Sequence, residues 1–376
     1  MRYLRTATGA AAAMALVVVS PATSSAEDAN RHSRGEAITT VATGLDGPRQ
    51  LSDYKGRRLI VAEADSGEVS WVDPRFGTSR TILTGLGNAQ GVDYVRGLIY
   101  VAVGEAGPPP EDEGVASAAP PAGGYSQVLL EATPGGRILR TWDLLQYELG
   151  HNPDGQQQFL DEAKQEPVET LSNPFSVLAQ PHRILVADAG ANAVLSIDRR
   201  TGEMSTFFVP PVVTGGACEG VPNNPGTTGC DPVPTEIAEG PGGKIYVGTL
   251  GAEAPGAAKV HVLDRYGNQV DVIDGLTGVT GVAVGNHGTV YVSNVLEGAP
   301  MGEGPPPEGF DPSSVGRLTR ISPDGARATA EVTMPTGLEV ESGDLYASAW
   351  SIAGFLGLSG RGEVQRIGPA AFVPVP

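Results

Sequence analysis

Three oxygen-bearing side chains recur at one place in a repeated segment. Glu63 ends Val61-Ala62-Glu63, Asp188 ends Val186-Ala187-Asp188, and Asn294 ends Val292-Ser293-Asn294. Hard oxygen donors of this kind suit Ca²⁺ or Mg²⁺, and a bound divalent ion could activate water for hydrolysis. The same residues have a local use, because Asp and Asn at a strand end cap the turn that follows. Asp188 with Asn192 has the form of such a pair. Two further groups could hold a ligand. Glu148, His151, Asn152 and Asp154 stand together in Tyr147-Glu148-Leu149-Gly150-His151-Asn152-Pro153-Asp154-Gly155. Arg49, Gln50, Gln90 and Glu236 are polar at positions where sibling segments carry Gly, Ser or Thr. The chain has no GxSxG, HExxH or CxxC pattern and no phosphate-binding glycine loop. No catalytic residue is assigned on this basis.

The element that must position these residues is a short apolar strand seen six times. Its copies are Leu59-Ile60-Val61-Ala62-Glu63, Ile99-Tyr100-Val101-Ala102-Val103, Ile184-Leu185-Val186-Ala187-Asp188, Ile245-Tyr246-Val247-Gly248-Thr249, Val290-Tyr291-Val292-Ser293-Asn294 and Leu345-Tyr346-Ala347-Ser348-Ala349. A fixed repeat signals a repeat architecture. Each copy is the second of four strands, a to d, with turn residues between them. The third unit, for example, predicts a over 173–178, b over 184–188, c over 192–198 and d over 203–209. Six such units predict an all-β, six-bladed β-propeller with four antiparallel strands per blade. The last unit stops at its c strand. Thr40-Val41-Ala42-Thr43-Gly44-Leu45 matches the d strand Thr81-Ile82-Leu83-Thr84-Gly85-Leu86. The N-terminal strand therefore closes the last blade, which removes an exposed sheet edge.

In such a meander the a–b and c–d turns lie on one face of the ring, and the b–c and d–a connections on the other. All long insertions fall in the second class: 104–125, 146–172, 210–232, 250–257, 296–315 and 351–361. Long loops are commonly functional, so the long-loop face is the expected place for a small molecule or an extracellular protein partner. Gln156–Gln165 (QQQFLDEAKQ) predicts about two turns of helix, with Asp154-Gly155 as its start signal. Cys218 and Cys230, the two cysteines, predict a disulfide closing the 210–232 insertion. The glycine and threonine positions near the axis predict close approach of the inner strands.

Met1-Arg2-Tyr3-Leu4-Arg5, an alanine-rich apolar run and Ser24-Ser25-Ala26 have the form of a secretory signal peptide. Its apolar run is short of the roughly 20 residues a spanning helix needs. The expected organisation is a signal peptide over 1–26 cleaved after about Ala26, a linker over 27–38, the propeller over 39–368 and a tail over 369–376. The expected product is a secreted monomer with no stable membrane anchor. The chain carries 25 basic and 43 acidic residues, a formal net charge of −18. Nucleic acid and anionic lipid call for Lys/Arg clusters, so neither is an expected partner.

The units, Tyr147-Glu148 followed by Asn152-Pro153-Asp154-Gly155, Ser172-Asn173-Pro174 and Val186-Ala187-Asp188-Ala189-Gly190-Ala191-Asn192 resemble the ScyD/ScyE family, exported bacterial proteins named after the scytonemin pigment gene cluster. The resemblance covers roughly residues 39–368, and the NPDG and VADAGAN segments are its most specific parts. More loosely the units resemble NHL-type repeats. The resemblance implies a six-bladed propeller and export, and implies no activity. His151 stands where such proteins commonly have a small or amide residue. Two functional expectations follow: a non-catalytic binding scaffold with its ligand on the long-loop face, or a divalent-metal hydrolase of the lactonase-like propeller class using Glu63, Asp188 and Asn294.

Overall fold

Strand b of every blade is sandwiched between neighbouring blades, which is why it reads as a continuous apolar run. Leu59, Ile60, Val61 and Ala62 are all fully buried, as expected of a strand covered on both faces. Strand d lies at the rim and its burial falls away, as in Thr78–Leu83, where only the last residue is buried. The computed structural model describes residues 37–105, 124–300, 307 and 309–375. Six of their antiparallel sheets are arranged as the blades of a six-bladed β-propeller. The a strands are Pro48–Tyr54, Ala89–Val95, Pro174–Ala179, Pro234–Gly240, Val279–Val284 and Leu338–Glu341. Apolar contacts between adjacent blades build the core, for example Ile60 and Ala62 of blade 1 with Val101 and Val103 of blade 2. Each fully buried side chain of this size contributes about 1.5–3 kcal/mol.

The N-terminal strand Ile38–Leu45 completes blade 6 by pairing with Gly362–Ile367, from Ile38 opposite Ile367 to Leu45 opposite Gly362. The expected signal peptide and its cleavage point lie outside the described residues, as do most of the 104–125 insertion and part of 296–315. Among the described residues no helix is long and apolar enough to cross a membrane. The C-terminal segment, expected as a tail, folds back: Val373 and Pro374 pair with Thr329 and Ala328 as a fifth strand on blade 5. Phe372 anchors the turn, with its ring 5.8 Å from Tyr291 and the Arg320 guanidinium 5.0 Å above it.

The a–b and c–d turns are all two to five residues long, so every long connection belongs to one face of the ring. Two of these connections differ from expectation in detail. Residues 156–165 are not a helix. The helix, α1, spans Leu144–His151, with Asp143 as N-cap accepting from the Gln146 N–H and Asn152 as a left-handed C-cap. Residues 159–167 instead form a small hairpin, Phe159–Asp161 with Glu166–Pro167. The physical reason is that three glutamines are spent on neighbouring loops. Gln156 donates to Asp231, the Gln157 N–H to Asn224, and Gln158 to Glu148.

The second connection carries the disulfide, Cys218 to Cys230, whose Cα atoms are 5.3 Å apart. The pair packs on Ala257 with Val213 and Ala254 beside it, which pins the 210–232 insertion to blade 4. Closing so short a loop stabilises by about 3 kcal/mol at most. Cys230→Ser is therefore expected to loosen this loop while the propeller stays folded. Limited proteolysis should show new cleavage between residues 213 and 229 only. Cleavage spread through the blades would contradict a local role.

Candidate functional site

A one-residue bulge repeats at the start of strand a and sets what faces the axis. The register slips between Pro48 and Leu51, Ala89 and Gly91, Pro174 and Ser176, Pro234 and Glu236, and Val279 and Gly281. The bulged residues are the axial candidates, and a bulge of this kind re-aims a side chain. In blades 4 and 5 it is a threonine that ties its blade to the next, and Thr336, just ahead of the a strand of blade 6, makes the same link. Thr235 donates to the Val279 carbonyl at 2.7 Å, Thr280 to Pro335 at 3.2 Å, and Thr336 to Pro48 at 3.1 Å. Blades 1, 2 and 3 break this pattern with Arg49, Gln90 and Phe175. Arg49 is buried; it donates to the Ser351 carbonyl and lies 3.7 Å from Asp65. Burial lowers its pKa, against the attraction of Asp65. Gln90 donates to Asn88 at 2.6 Å, and its Oε1 has no partner.

One layer deeper, Gln50 and Glu236 plug the axis. Gln50 donates to the Val177 carbonyl and to Glu236, and accepts the N–H groups of Val92 and Val177. Burial raises the Glu236 pKa well above the usual carboxylate range. The small residues of this layer are there for space. A Cβ on Gly91 would sit 2.7 Å from the Ser176 backbone.

A separate polar network covers the long-loop face over blades 2 to 4, and it joins the two most specific sequence segments. Asp154 of NPDG accepts from Asn192 of VADAGAN at 3.1 Å. Asn192, at φ 47, accepts in turn from the Val233 N–H. Val233 itself has φ 51, a strained conformation for a β-branched residue and one that clusters at functional sites. Asp188 holds the same junction from below. It accepts from the hydroxyl of Ser172 and the backbone N–H groups of Asn173 and Ala191. Gly190 must be glycine here, because a Cβ would lie 2.7 Å from the Thr170 carbonyl of the crossing loop.

The network is rich in acceptors. Glu148 is 3 % exposed; its Oε1 accepts from Gln158 and its Oε2 has no partner. Asn152 Oδ1 and Gln156 Oε1 are likewise buried without partners. Three open acceptors thus fall within nine residues, and such groups are costly unless something satisfies them. Burial first, then the charges of Asp154 and Asp188, push the Glu148 pKa up to about 7. Burial and the carboxylates of Asp231 and Asp154 also raise Glu169. The insertions 104–127, 144–173 and 209–233 contain one lysine, Lys164, and no arginine. That lysine is paired with Asp161 at 2.9 Å.

The structure brings Glu148, Asn152, Asp154 and Asp188 into this one region and leaves the other candidates elsewhere. His151 is exposed and stacks on Tyr147 at 4.1 Å. Glu63 accepts the Asp46 N–H, and Asn294 accepts from Leu296 and donates to Glu297. Glu63, Asp188 and Asn294 do occupy equivalent places, each opposite the first residue of its a strand. No hydrogen bond joins them among the described residues. Asp188 spends both carboxylate oxygens on its own loops, so the set is ill suited to sharing one ion. Among the described residues no group of three or more Asp, Glu, His or Cys side chains could hold a metal ion. Sequence reasoning missed Gln156, Gln158, Asn224 and Asp231, and it paired Asn192 with Asp188, whereas Asn192 bonds Asp154 and Val233. The glutamine run 156–158 was the available signal, since three consecutive glutamines lacking helix-face periodicity suit loop-to-loop bonding.

No protein-family model matches the chain, and no curated protein matches it by sequence. Solved structures share its fold. A proposed oxidoreductase (glucose dehydrogenase) from Thermus thermophilus aligns with a TM-score of 0.51 at 13% identity, covering 88% of this chain and 98% of that one. A gluconolactonase from Xanthomonas campestris aligns with a TM-score of 0.51 at 10% identity, covering 89% and 91%. A virginiamycin B lyase from Staphylococcus aureus aligns at 0.48 and 11% identity, covering 90% and 87%. At such identities the likeness is one of fold alone, since one fold hosts many activities.

Proposed function

We propose that this protein is an exported, non-catalytic binding propeller of the ScyD/ScyE type. Its ligand is a small molecule or an extracellular protein segment that presents hydrogen-bond donors or positive charge to the long-loop face over blades 2 to 4. One observation carries the reading: Glu148 Oε2, Asn152 Oδ1 and Gln156 Oε1 are buried, unpartnered acceptors in loops whose single lysine is already paired. The contact between NPDG and VADAGAN supports the family resemblance, because its two most specific segments build one junction. The disulfide suits an oxidising destination. The hydrolase reading has no matching support, because Glu63, Asp188 and Asn294 are each engaged in separate loops.

Thermal-shift titration with spermidine, glucosamine, Ca²⁺ and glucose, with citrate as an acceptor-only control, tests this. At least one donor-bearing or cationic probe is expected to raise Tm. Combining Glu148→Gln with Asp154→Asn should weaken that probe about tenfold, as loss of a charge-assisted contact predicts. The reading fails if citrate is the only probe that binds, if no probe binds, or if the double variant binds as the wild type does.

A further inference from the structure

On the short-turn side, away from the long loops, a cleft of about 350 Å³ opens between blades 1 and 2. Lys55, Arg58 and Arg80 line it with Tyr54, Trp71 and the Pro134-Gly135 turn, and no acidic residue lines it. Three cations without a lining acid are unexpected in a chain of net charge −18. The sheet register explains how they gather. Trp71 lies directly opposite Arg80 on one side and Ile60 on the other, and directly opposed residues share a sheet face.

Two of the cations are held in place. The Arg58 guanidinium lies 4.5 Å from the Trp71 ring centroid, and its Nε is 3.4 Å from Asp73. Asp73 is shared with Arg75 at 3.1 Å, so it only partly neutralises Arg58. Lys55 sits 4.8 Å over the Tyr54 ring and 5.9 Å from that of Tyr94. Arg80 is exposed and has no ion pair or side-chain hydrogen bond among the described residues. A guanidinium fixed in advance and a free one beside it match the geometry by which arginine binds carboxylates and phosphates. Trp71, Ile82 and Pro134 supply an apolar wall.

We propose that this cleft is a second binding site, for a small ligand that joins an anionic group, carboxylate or phosphate ester, to a flat apolar body. Arg80 and Lys55 take the charge, and Arg58 on Trp71 orients it. The site is independent of the long-loop face. Calorimetric titration with phenyl phosphate and phenyl β-D-glucuronide, against neutral phenyl β-D-glucoside, reads the ligand class and tells phosphate from carboxylate. At least one anion should bind about tenfold or more tightly than the glucoside, quench Trp71 fluorescence and weaken with added salt. Arg80→Ala should lower that affinity about tenfold with Tm unchanged, and Glu148→Gln should leave it unaltered. Equal binding of the glucoside, no binding of either anion, or an affinity indifferent to Arg80→Ala would each overturn the proposal.

Discussion

Gln50→Leu should destabilise the propeller by about 3–5 kcal/mol, because each buried group left unpartnered costs about 1–3 kcal/mol. The substitution keeps the side-chain volume and removes four hydrogen bonds. It strands the N–H groups of Val92 and Val177, the Val177 carbonyl and one Glu236 interaction. These partners belong to the a strands of blades 2, 3 and 4, so one side chain of blade 1 ties four blades at the axis. Gln90→Leu is the comparison. Its one hydrogen bond joins Asn88, two residues away in its own blade, and its loss should cost below about 1 kcal/mol. Urea unfolding of both variants checks this. Equal losses would show that Gln50 is not the axial tie.

Stability should fall as pH rises from about 4 to 8. Several carboxylates are pushed upward by burial, joined at Asp93, Glu339 and Glu148 by like charges. Asp93, with Asp53 nearby, is raised to about 7. Glu339, facing Asp93, Asp53 and Glu341, is raised to about 8. Glu148 is raised to about 7 and Asp188 to about 6. In the unfolded chain these groups lose their protons near pH 4, while the folded chain retains them. The native state therefore binds more protons in this window, and the stability they contribute is lost as pH passes the folded values. A tenfold change in proton affinity corresponds to about 1.4 kcal/mol, so the summed effect amounts to several kcal/mol. Below about pH 4 the trend reverses. Asp73 loses its arginine and backbone hydrogen bonds on protonation, and Asp198 and Asp264 lose those that hold them below the usual range. Urea midpoints should peak near pH 4, and combining Asp93→Asn with Glu339→Gln should flatten the decline. A midpoint that rises between pH 5 and pH 8 would contradict this assignment.

The architecture was legible because it is periodic. A doubly covered strand must be apolar throughout, so strand b announced itself six times, and the match between Thr40–Leu45 and Thr81–Leu86 gave the closing strand. The axial layer was legible in part. Gly91 and Gly337 were readable as close approaches. That Gln50 would span four blades was not, since its partners are mostly backbone groups without a residue signature. The junction was the hardest. Asp154 and Asn192 are 38 residues apart, and nothing periodic links an insertion to the loop it crosses. The helix shows the same limit. Asp154-Gly155 resembles a helix start, yet Asp143 is the cap, and Leu144 and Tyr147 are the apolar residues that tertiary packing buries. Local propensity lost to loop contacts that only the fold creates.

The central claim places the ligand on the long-loop face over blades 2 to 4. Hydrogen–deuterium exchange, measured with and without the tightest-binding donor-bearing probe, tests it most directly. The account predicts protection concentrated in residues 148–158, 188–192 and 224–233, with the a–b and c–d turns unchanged. Protection confined to those short turns, or to the metal candidates Glu63 and Asn294 in blades 1 and 5, would contradict it.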